Sequence, residues 1–411
     1  MSETLYTSAL LGFVGSDEQL GAAQTSNVFA RKAMPSVFNA PGSYAAGRSL
    51  VALERSRVFD ALHPGVSADP AALSAGSNFA NGPKYIASFS GTVLPSTGSL
   101  AKTLLERSRM LPLDVIGGRV TTPSSVTVVE LVDALESEVH PTAKVHAPVI
   151  IPVVASATAA VASAVIGDWE ILSMILLGMV CNGLSSSALK QGDLTFTRPV
   201  TTAGAPAGDG YLDAGTELVV LKGSESAVAS VTRGRFTLRY KDERVYRWIA
   251  TCGTLMTAQC FIQLLIVPQG TFYGQILFLF SMVISWLYNA HVARQEKAAW
   301  DRLVLEDLLK APSMKRYSLG TRAATAVFLM QLLKPDNIEE QLALLLPNNT
   351  PVWRYWRQTV ARRLQEEKPS FAGVPIDATA FRPDELTLLN TLLTDAQTAV
   401  DGYTKLSGAK F

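Results

Sequence analysis

The chain has 411 residues, enough for two or three compact units, and its formal net charge is +1 at pH 7. This near-neutral charge, without a Lys/Arg cluster that carries interleaved aromatics, excludes a typical nucleic-acid-binding protein. Three cysteines without CxxC or Cys/His spacing exclude a secreted disulfide scaffold and predict no metal site. Only 17% of the residues are charged and 48% are hydrophobic, a composition that favours membrane spans.

The N-terminal third is rich in Gly, Ser, Ala and Pro. We expect residues 1–146 to form a partly irregular cytosolic region with helices over 47–62 and 100–110. The stretch 126–139 predicts a strand followed by a helix that leads into the membrane. No basic region precedes the short apolar stretch 4–14, so the N-terminus does not predict a signal peptide.

Four apolar runs without Asp, Glu, Lys or Arg follow, at 147–167, 171–189, 248–267 and 271–293. Each has about the 20 residues needed to cross about 30 Å of hydrocarbon. They predict a mainly α membrane protein with four transmembrane helices, arranged as two hairpins over 147–189 and 248–293. Asp168 stands where it can cap the second helix.

The distribution of basic residues predicts the orientation. Neither hairpin connection, 167–170 or 268–270, contains any of the 36 Lys and Arg residues of the chain. Because cytosolic loops carry the excess of Lys and Arg, we expect both the N- and the C-terminus to be cytosolic. The sequence does not indicate which cellular membrane is involved.

Two cytosolic segments complete the predicted architecture. Residues 190–247 predict a small β-rich insert with strands near 194–197, 217–221 and 235–240, because apolar and β-branched residues alternate between turn signals. Its Gly/Asp-rich loop at 208–213 predicts a β-turn, since the spacing matches no phosphate or calcium loop. Residues 294–411 predict a helical region with helices over 317–333, 352–368 and 383–406.

No motif in the sequence names a reaction, and whether the protein is an enzyme stays open. Weak catalytic candidates are His140, His146, Asn289 and His291, because all are expected near the cytosolic interface where a lipophilic substrate would enter. The imidazoles of His140 and His146 could transfer protons or bind a metal, but their spacing matches no defined site and favours interface histidines that are merely solvated. The sequence predicts no cofactor.

Three polar residues, Asn182, Gln259 and Gln263, fall in the middle of the predicted spans. Amides within lipid need partners, so they either form hydrogen bonds between helices or line a polar path. No Asp, Glu, Lys or Arg lies deep within any run, which argues against a proton-coupled transporter.

The membrane block resembles an uncharacterised four-span membrane protein family expanded in mushroom-forming (basidiomycete) fungi. The resemblance covers roughly residues 147–365. The residues that carry it are Gly167-Asp168-Trp169, Ser173-Met174-Ile175-Leu176-Leu177-Gly178, Leu194-Thr195-Phe196, Pro199, Gly208-Asp209-Gly210, Val231-Thr232-Arg233-Gly234-Arg235-Phe236, Pro268-Gln269-Gly270-Thr271, Gly274-Gln275, Tyr317-Ser318-Leu319-Gly320-Thr321-Arg322 and Leu346-Pro347-Asn348-Asn349-Thr350. It implies a membrane topology and a fungal origin, and it transfers no catalytic residue.

Three functions are compatible with these patterns. The first is a membrane scaffold or assembly protein, an anchored homo-oligomer whose partner is the lipid bilayer. The second is a membrane-bound enzyme or accessory factor that acts on a lipophilic small molecule in fungal secondary metabolism. The third is an oligomeric channel or facilitator with Asn182, Gln259 and Gln263 along its path. Small residues in the first run and the missing catalytic motif favour the scaffold.

Overall fold

A computed structural model describes residues 36–51, 82–132, 149–191, 193–202, 204–239, 242–376 and 380–408. They form two compact units whose segments alternate along the chain. The helical unit is drawn from Met1–Ala80, Ser137–Thr197 and Arg235–Asp307. The α/β unit is drawn from Asn81–Glu136, Arg198–Gly234 and Leu308–Phe411.

In chain order, the elements are α1 (Ser43–Val51), β1 (Lys84–Ala87), β2 (Val93–Leu94), α2 (Ser99–Arg109), β3 (Leu113–Val115), β4 (Ser124–Glu130), α3 (Ile150–Ile166), α4 (Trp169–Leu189), β5 (Asp193–Thr197), β6 (Gly210–Asp213), β7 (Glu217–Lys222), α5 (Glu225–Arg233), β8 (Arg235–Arg239), α6 (Glu243–Ile266), α7 (Phe272–Arg302), β9 (Ser313–Leu319), α8 (Arg322–Leu333), α9 (Ile338–Leu345), α10 (Pro351–Leu364) and α11 (Pro383–Gly408). A 3-10 turn, Val267–Gln269, joins α6 to α7, and a π-helical turn, Leu303–Leu308, follows α7.

A mixed seven-stranded sheet forms the centre of the α/β unit, in the order β2-β1-β6-β7-β4-β9-β3. The pairs β4/β7 and β3/β9 are parallel and the other neighbours are antiparallel. Apolar residues of β4 and β7 are buried on both faces, as central strands require. The sheet therefore joins chain segments that lie before, between and after the long apolar helices.

One face of the sheet contributes to a large apolar core together with α8 to α11. Residues 323–333 of α8 are all buried, which fits a helix enclosed on every side. Phe328 of α8 meets Tyr317 of β9 edge to face, with 5.7 Å between the ring centroids. Trp356 of α10 is fully buried, and its indole Nε1 donates a hydrogen bond to the Leu392 carbonyl at 3.2 Å.

The helical unit contains α1, the four helices α3, α4, α6 and α7, and a two-stranded antiparallel ribbon of β5 and β8. Contacts join α3 to α4 and α7, and α6 to α4 and α1. Three helices of this unit are long and apolar enough to cross a membrane: Trp169–Leu189, Arg244–Gln269 and Phe272–Val292.

The prediction of four spans is therefore wrong. The first apolar run forms a helix only over Ile150–Ile166, 17 residues. At 1.5 Å per residue this helix is about 25 Å long, shorter than about 30 Å of hydrocarbon. It is a shorter apolar helix that packs against two of the candidate spans, α4 and α7.

The prediction of a small β-rich insert at 190–247 is also wrong. Its strands β5 and β8 pair with each other in the helical unit, whereas β6 and β7 lie inside the seven-stranded sheet. The remaining strands of that sheet come from 84–130, where only the strand predicted from 126 onwards is confirmed as β4, and from 313–319, a region predicted as helical. The β-rich part is large because its strands are collected from three distant segments.

Several predicted helices are confirmed with small shifts: α2, α10 and α11 begin within a few residues of their predicted starts. The helix predicted over 47–62 is seen as α1, which begins at Ser43, and residues 52–62 lie outside the described part. The helix predicted over 317–333 is correct only from Arg322, because Ser313–Leu319 pairs with β4 as a strand.

Candidate functional site: the polar interior of the helical unit

The helical unit exposes many large apolar side chains, and its interior contains many polar side chains beside apolar clusters. Large apolar side chains that remain exposed include Val161, Val165, Val180, Leu265 and Phe280, and more than half of the surface-exposed large apolar residues of the described chain belong to these helices. Buried polar side chains of the same unit are Asn39, Ser43, Ser156, Ser163, Asp168, Asn182, Ser185, Ser186, Thr257, Gln259, Gln263, Gln275, Ser281, Ser285 and Asn289. Water-soluble proteins rarely leave so large a contiguous apolar surface uncovered.

Asp168 ties the two helical hairpins together at one end of the unit. Its side chain is buried, and Oδ1 accepts a hydrogen bond from the Ile171 backbone N–H at 3.1 Å, so the predicted cap of α4 is confirmed. Oδ2 accepts from the Thr271 backbone N–H at 2.7 Å and from the Thr271 hydroxyl at 2.6 Å. Gly274 leaves room for this carboxylate, since a Cβ there would overlap Oδ2.

The chain segment 36–42 lies in the interior of the helical unit without regular secondary structure. Side chains of α4 satisfy its backbone. The Asn182 amide nitrogen donates to the carbonyls of Ser36 at 2.8 Å and Phe38 at 3.1 Å. The Ser36 backbone N–H donates to the Ser186 hydroxyl at 3.4 Å. Irregular backbone is tolerated at membrane depth only where protein surrounds it in this way.

Asn39 is the centre of this arrangement. Its backbone N–H donates to the Ser156 hydroxyl of α3 at 3.0 Å, and its Nδ2 donates to the Ser281 hydroxyl of α7 at 3.0 Å. Its Oδ1 lies against Gly178 of α4, where any Cβ would overlap it. One fully buried residue therefore contacts three helices, α3 through its backbone and α4 and α7 through its side chain.

These contacts lie halfway along the helices. Ser156 stands ten residues before the end of α3, and Gly178 and Ser281 stand nine residues after the starts of α4 and α7. At 1.5 Å per residue each is about 14 Å from the hairpin connections. That distance is about half of a 30 Å hydrocarbon layer.

Gln259 and Gln263 of α6 extend the polar interior towards the hairpin connections. Gln259 Nε2 donates to Gln263 Oε1 at 3.3 Å, and Gln263 Nε2 donates to the Met174 carbonyl at 3.2 Å. The Gln259 Oε1 and Asn39 Oδ1 atoms are buried and accept no hydrogen bond from any described residue. Unsatisfied acceptors of this kind are costly in a medium of low polarity.

A polar stripe runs along the buried face of α7 towards its C-terminal half. Ser281, Ser285 and Asn289 follow one another at intervals of four residues, which places them on one side of a helix. All three are buried, and neither the Ser285 hydroxyl nor Asn289 Oδ1 has a partner among the described residues. This stripe continues the polar interior away from the hairpin connections.

Helix α1 follows the irregular segment and packs closely on α6. A Cβ at Gly253 would lie 2.6 Å from the Gly47 carbonyl oxygen and 2.9 Å from Leu50 Cβ, so this crossing requires glycine. Apolar residues on either side, including Ala46, Leu50 and Met256, share one buried cluster. Small residues permit such close approach of helices within membranes.

The predicted site residues fall in different places. Asn182, Gln259 and Gln263 all lie in the polar interior, where Asn182 holds segment 36–42 and the two glutamines bond to each other and to α4. Asn289 is buried, whereas His291 is exposed; two residues apart on one helix, they do not face each other. His140 and His146 lie outside the described residues.

The Gly/Asp-rich loop of the α/β unit forms a tight structural connection. The Gly208 carbonyl accepts a hydrogen bond from the Tyr85 hydroxyl at 2.8 Å. Asp209 Oδ1 accepts from the Gly223 backbone N–H at 2.8 Å, and the Asp209 carbonyl accepts from the Ser88 N–H at 2.9 Å. Burial raises the pKa of the Tyr85 phenol. The β-turn predicted over 208–213 is therefore wrong: Gly210–Asp213 is strand β6, and these bonds hold residues 208–209 ahead of it.

Sequence reasoning missed Asn39, the residue that connects most of the interior. The available signal was the break at Pro41-Gly42, which follows the apolar pair Val37-Phe38 and precedes the small residues of α1. Its partners are 117 and 242 residues away along the chain, which no local pattern can show.

Among the residues that the structure describes, no group of three or more His, Cys, Asp or Glu side chains could hold a metal ion. No protein-family model, curated protein or solved structure matches the chain.

Proposed function

We propose that this chain is an integral membrane protein whose helical unit anchors a folded α/β unit, and that its role is assembly at a membrane. The observation that carries the proposal is the apolar exterior of the helical unit, which surrounds an interior with many buried polar groups beside its apolar clusters. Apolar side chains such as Val180 and Phe280 point outwards, whereas Asn39, Gln259 and Ser281 are enclosed. A lipid bilayer favours this arrangement, because apolar side chains can face the hydrocarbon whereas polar groups must form their hydrogen bonds within the protein.

The hydrogen bonds of the buried amides favour an assembly role over a catalytic role. Asn182 and Gln263 donate hydrogen bonds to backbone carbonyls, so their polarity is used to hold the chain in place. The α/β unit adds a folded body of seven strands and several helices, which offers surface for protein contacts. A homo-oligomer is the simplest assembly for such an anchored body.

The α/β unit also indicates sidedness. Its strands β4, β7 and β9 pair within one sheet, so their segments lie on the same side of the bilayer as one another. The chain between β4 and β7 therefore enters the bilayer and returns to that side through the hairpin of α3 and α4, in which α3 is the shorter helix. The connections 167–170 and 267–271 contain no Lys or Arg. The positive-inside rule therefore assigns the side of the α/β unit to the cytosol.

Native mass spectrometry of the protein in mild detergent tests the assembly role. A defined multimer that retains only bulk lipid is the expected result. A stoichiometric small metabolite on a monomer would contradict assembly and favour an enzyme that acts on a lipophilic substrate. Resistance of the protein to extraction from membranes at alkaline pH tests the anchor separately, and release into the supernatant would contradict it.

A further inference from the structure

The polar interior extends along most of the apolar part of the helices α4 and α7. Near the hairpin connections it includes Gln263 and Gln275, and midway it includes Gln259 and Ser281. At the opposite end it includes Ser186 of α4 and Asn289 of α7, each 17 residues after the start of its helix. Buried polar groups therefore follow one another across a length comparable to a bilayer.

Segment 36–42 occupies the part of this interior between its middle and the end near Ser186. The segment is irregular, and the side chains that hold it are uncharged amides and hydroxyls of α3, α4 and α7. Hydrogen bonds of this kind within membrane proteins are individually weak. Water or another small neutral molecule offers the same donors and acceptors and can replace the segment as the partner.

The interior acceptors are incompletely satisfied while the segment is in place. Asn39 Oδ1, Gln259 Oε1, Ser285 Oγ and Asn289 Oδ1 are all buried without a hydrogen-bond partner among the described residues. Each would gain partners if the interior filled with water. The free energy of these added hydrogen bonds offsets part of the free energy needed to withdraw the segment.

The interior is also uncharged over its length. Asp168, at the hairpin connections, is the one acidic or basic side chain buried among the described residues of the helical unit. Scattered amides and hydroxyls compensate poorly for the dehydration of an ion, because ion passage is supported by charged side chains or by rings of coordinating carbonyls. It matches solutes that are uncharged and form hydrogen bonds.

From these observations we propose that segment 36–42 is a displaceable plug in a polar passage through the helical unit, and that the unplugged passage admits water and other small uncharged solutes. The proposal rests on the membrane location proposed above and goes beyond the assembly role.

The plug can be locked by a designed disulfide. An ideal Cβ at Gly183 lies 3.8 Å from Val37 Cβ, which is the mean Cβ–Cβ separation of about 3.8 Å in disulfides. The variant Val37→Cys/Gly183→Cys, with the three native cysteines replaced by alanine, should therefore crosslink on oxidation. Gly183→Cys alone is the control that cannot form this bond. Failure of the pair to crosslink in the protein whose only other changes are the three replaced native cysteines would overturn the plug.

The plug can be loosened by Asn39→Ala/Asn182→Ala, which removes three hydrogen bonds between the segment and the helices. At the average strength of such bonds within membrane proteins, the withdrawn population rises about twentyfold. Asn182→Ala alone removes two bonds and predicts a rise of about eightfold. Thr251→Ala, on an exposed position of α6, is the matched control and should change nothing.

The measurement is osmotic shrinkage of proteoliposomes that carry the loosened protein with the cysteine pair. When the pair is reduced, water efflux should exceed that of protein-free vesicles, and oxidation should return it to the wild-type level. Equal efflux in both redox states, or a leak of sodium ions in place of water, would overturn the passage. Resistance of the same vesicles to alkaline extraction shows that the anchor holds whichever result is found.

Discussion

The carboxylate of Asp168 gives the sharpest test of how the two hairpins are joined. Asp168→Ala removes the cap of α4, worth about 1 kcal/mol. It also removes two hydrogen bonds from the exposed Thr271 to a buried charged acceptor, each worth about 1.5–3 kcal/mol. The expected loss is about 4 kcal/mol or more, which lowers the midpoint of thermal unfolding by about 8–16 °C for a unit of this size.

The assay is thermal unfolding of the purified protein in one detergent, followed by helical circular dichroism. Glu170→Ala is the matched control, because this exposed residue in the first turn of α4 contributes only through the helix dipole, about 0.3–1 kcal/mol. Thr271→Val combined with Asp168→Ala should cost less than the sum of the single changes, since both remove the same contact. An Asp168→Ala variant as stable as the Glu170→Ala variant would refute this account of the hairpin junction.

Three further predictions concern packing and ionisation. Gly253→Leu should destabilise the helical unit by about 1–3 kcal/mol, because its side chain would collide with α1; unchanged thermal stability would contradict the close crossing. Trp356→Ala should cost the α/β unit about 3–5 kcal/mol in chemical unfolding, and Trp353→Ala, at a half-buried position, distinctly less; equal losses would contradict the core assignment. Burial raises the pKa of the Tyr85 and Tyr211 phenols above the ordinary value of 10.0. The folded state is therefore fully stable with respect to these two groups below pH 10, and it loses stability as the pH rises above 10 because the unfolded chain ionises first. Ultraviolet titration of the native protein should show these phenols still protonated at a pH where free tyrosine ionises.

The apolar helices could be predicted from the sequence because the residues of each helix form one continuous apolar run. Charge-free stretches of about 20 residues predict spans by length alone. The count failed at the first run, where the helix begins only at Ile150 and ends at Ile166. Hydropathy registers an apolar run and does not register where the backbone leaves the helix.

The sheet and the polar interior could not be predicted from the sequence in this way. Strand β4 pairs with β7 and β9, whose residues lie about 90 and 190 positions further along the chain, so no local pattern contains their pairing. Short strands such as β1 and β3 also carry too few residues for alternation to be recognised. The same holds for Asn39, which was placed in an irregular arm because its partners belong to distant helices.

The amides show a mixed outcome. Sequence reasoning placed Asn182, Gln259 and Gln263 in the apolar helices and offered two interpretations for them. The structure shows hydrogen bonds that hold backbone and helices in place. A polar path stays a proposal, and it depends on removal of the segment that Asn182 holds.

The most direct test of the central claim is site-directed spin labelling of the protein reconstituted in liposomes. Labels at Val180 and Phe280, both exposed and near the middle of their helices, should collide with dissolved oxygen and be shielded from a water-soluble nickel chelate. A label at the fully exposed Val200 of the α/β unit should show the opposite preference. Nickel accessibility at Val180 and Phe280 equal to that at Val200 would mean that water, not lipid, covers the helices, and the account of a membrane anchor would be contradicted.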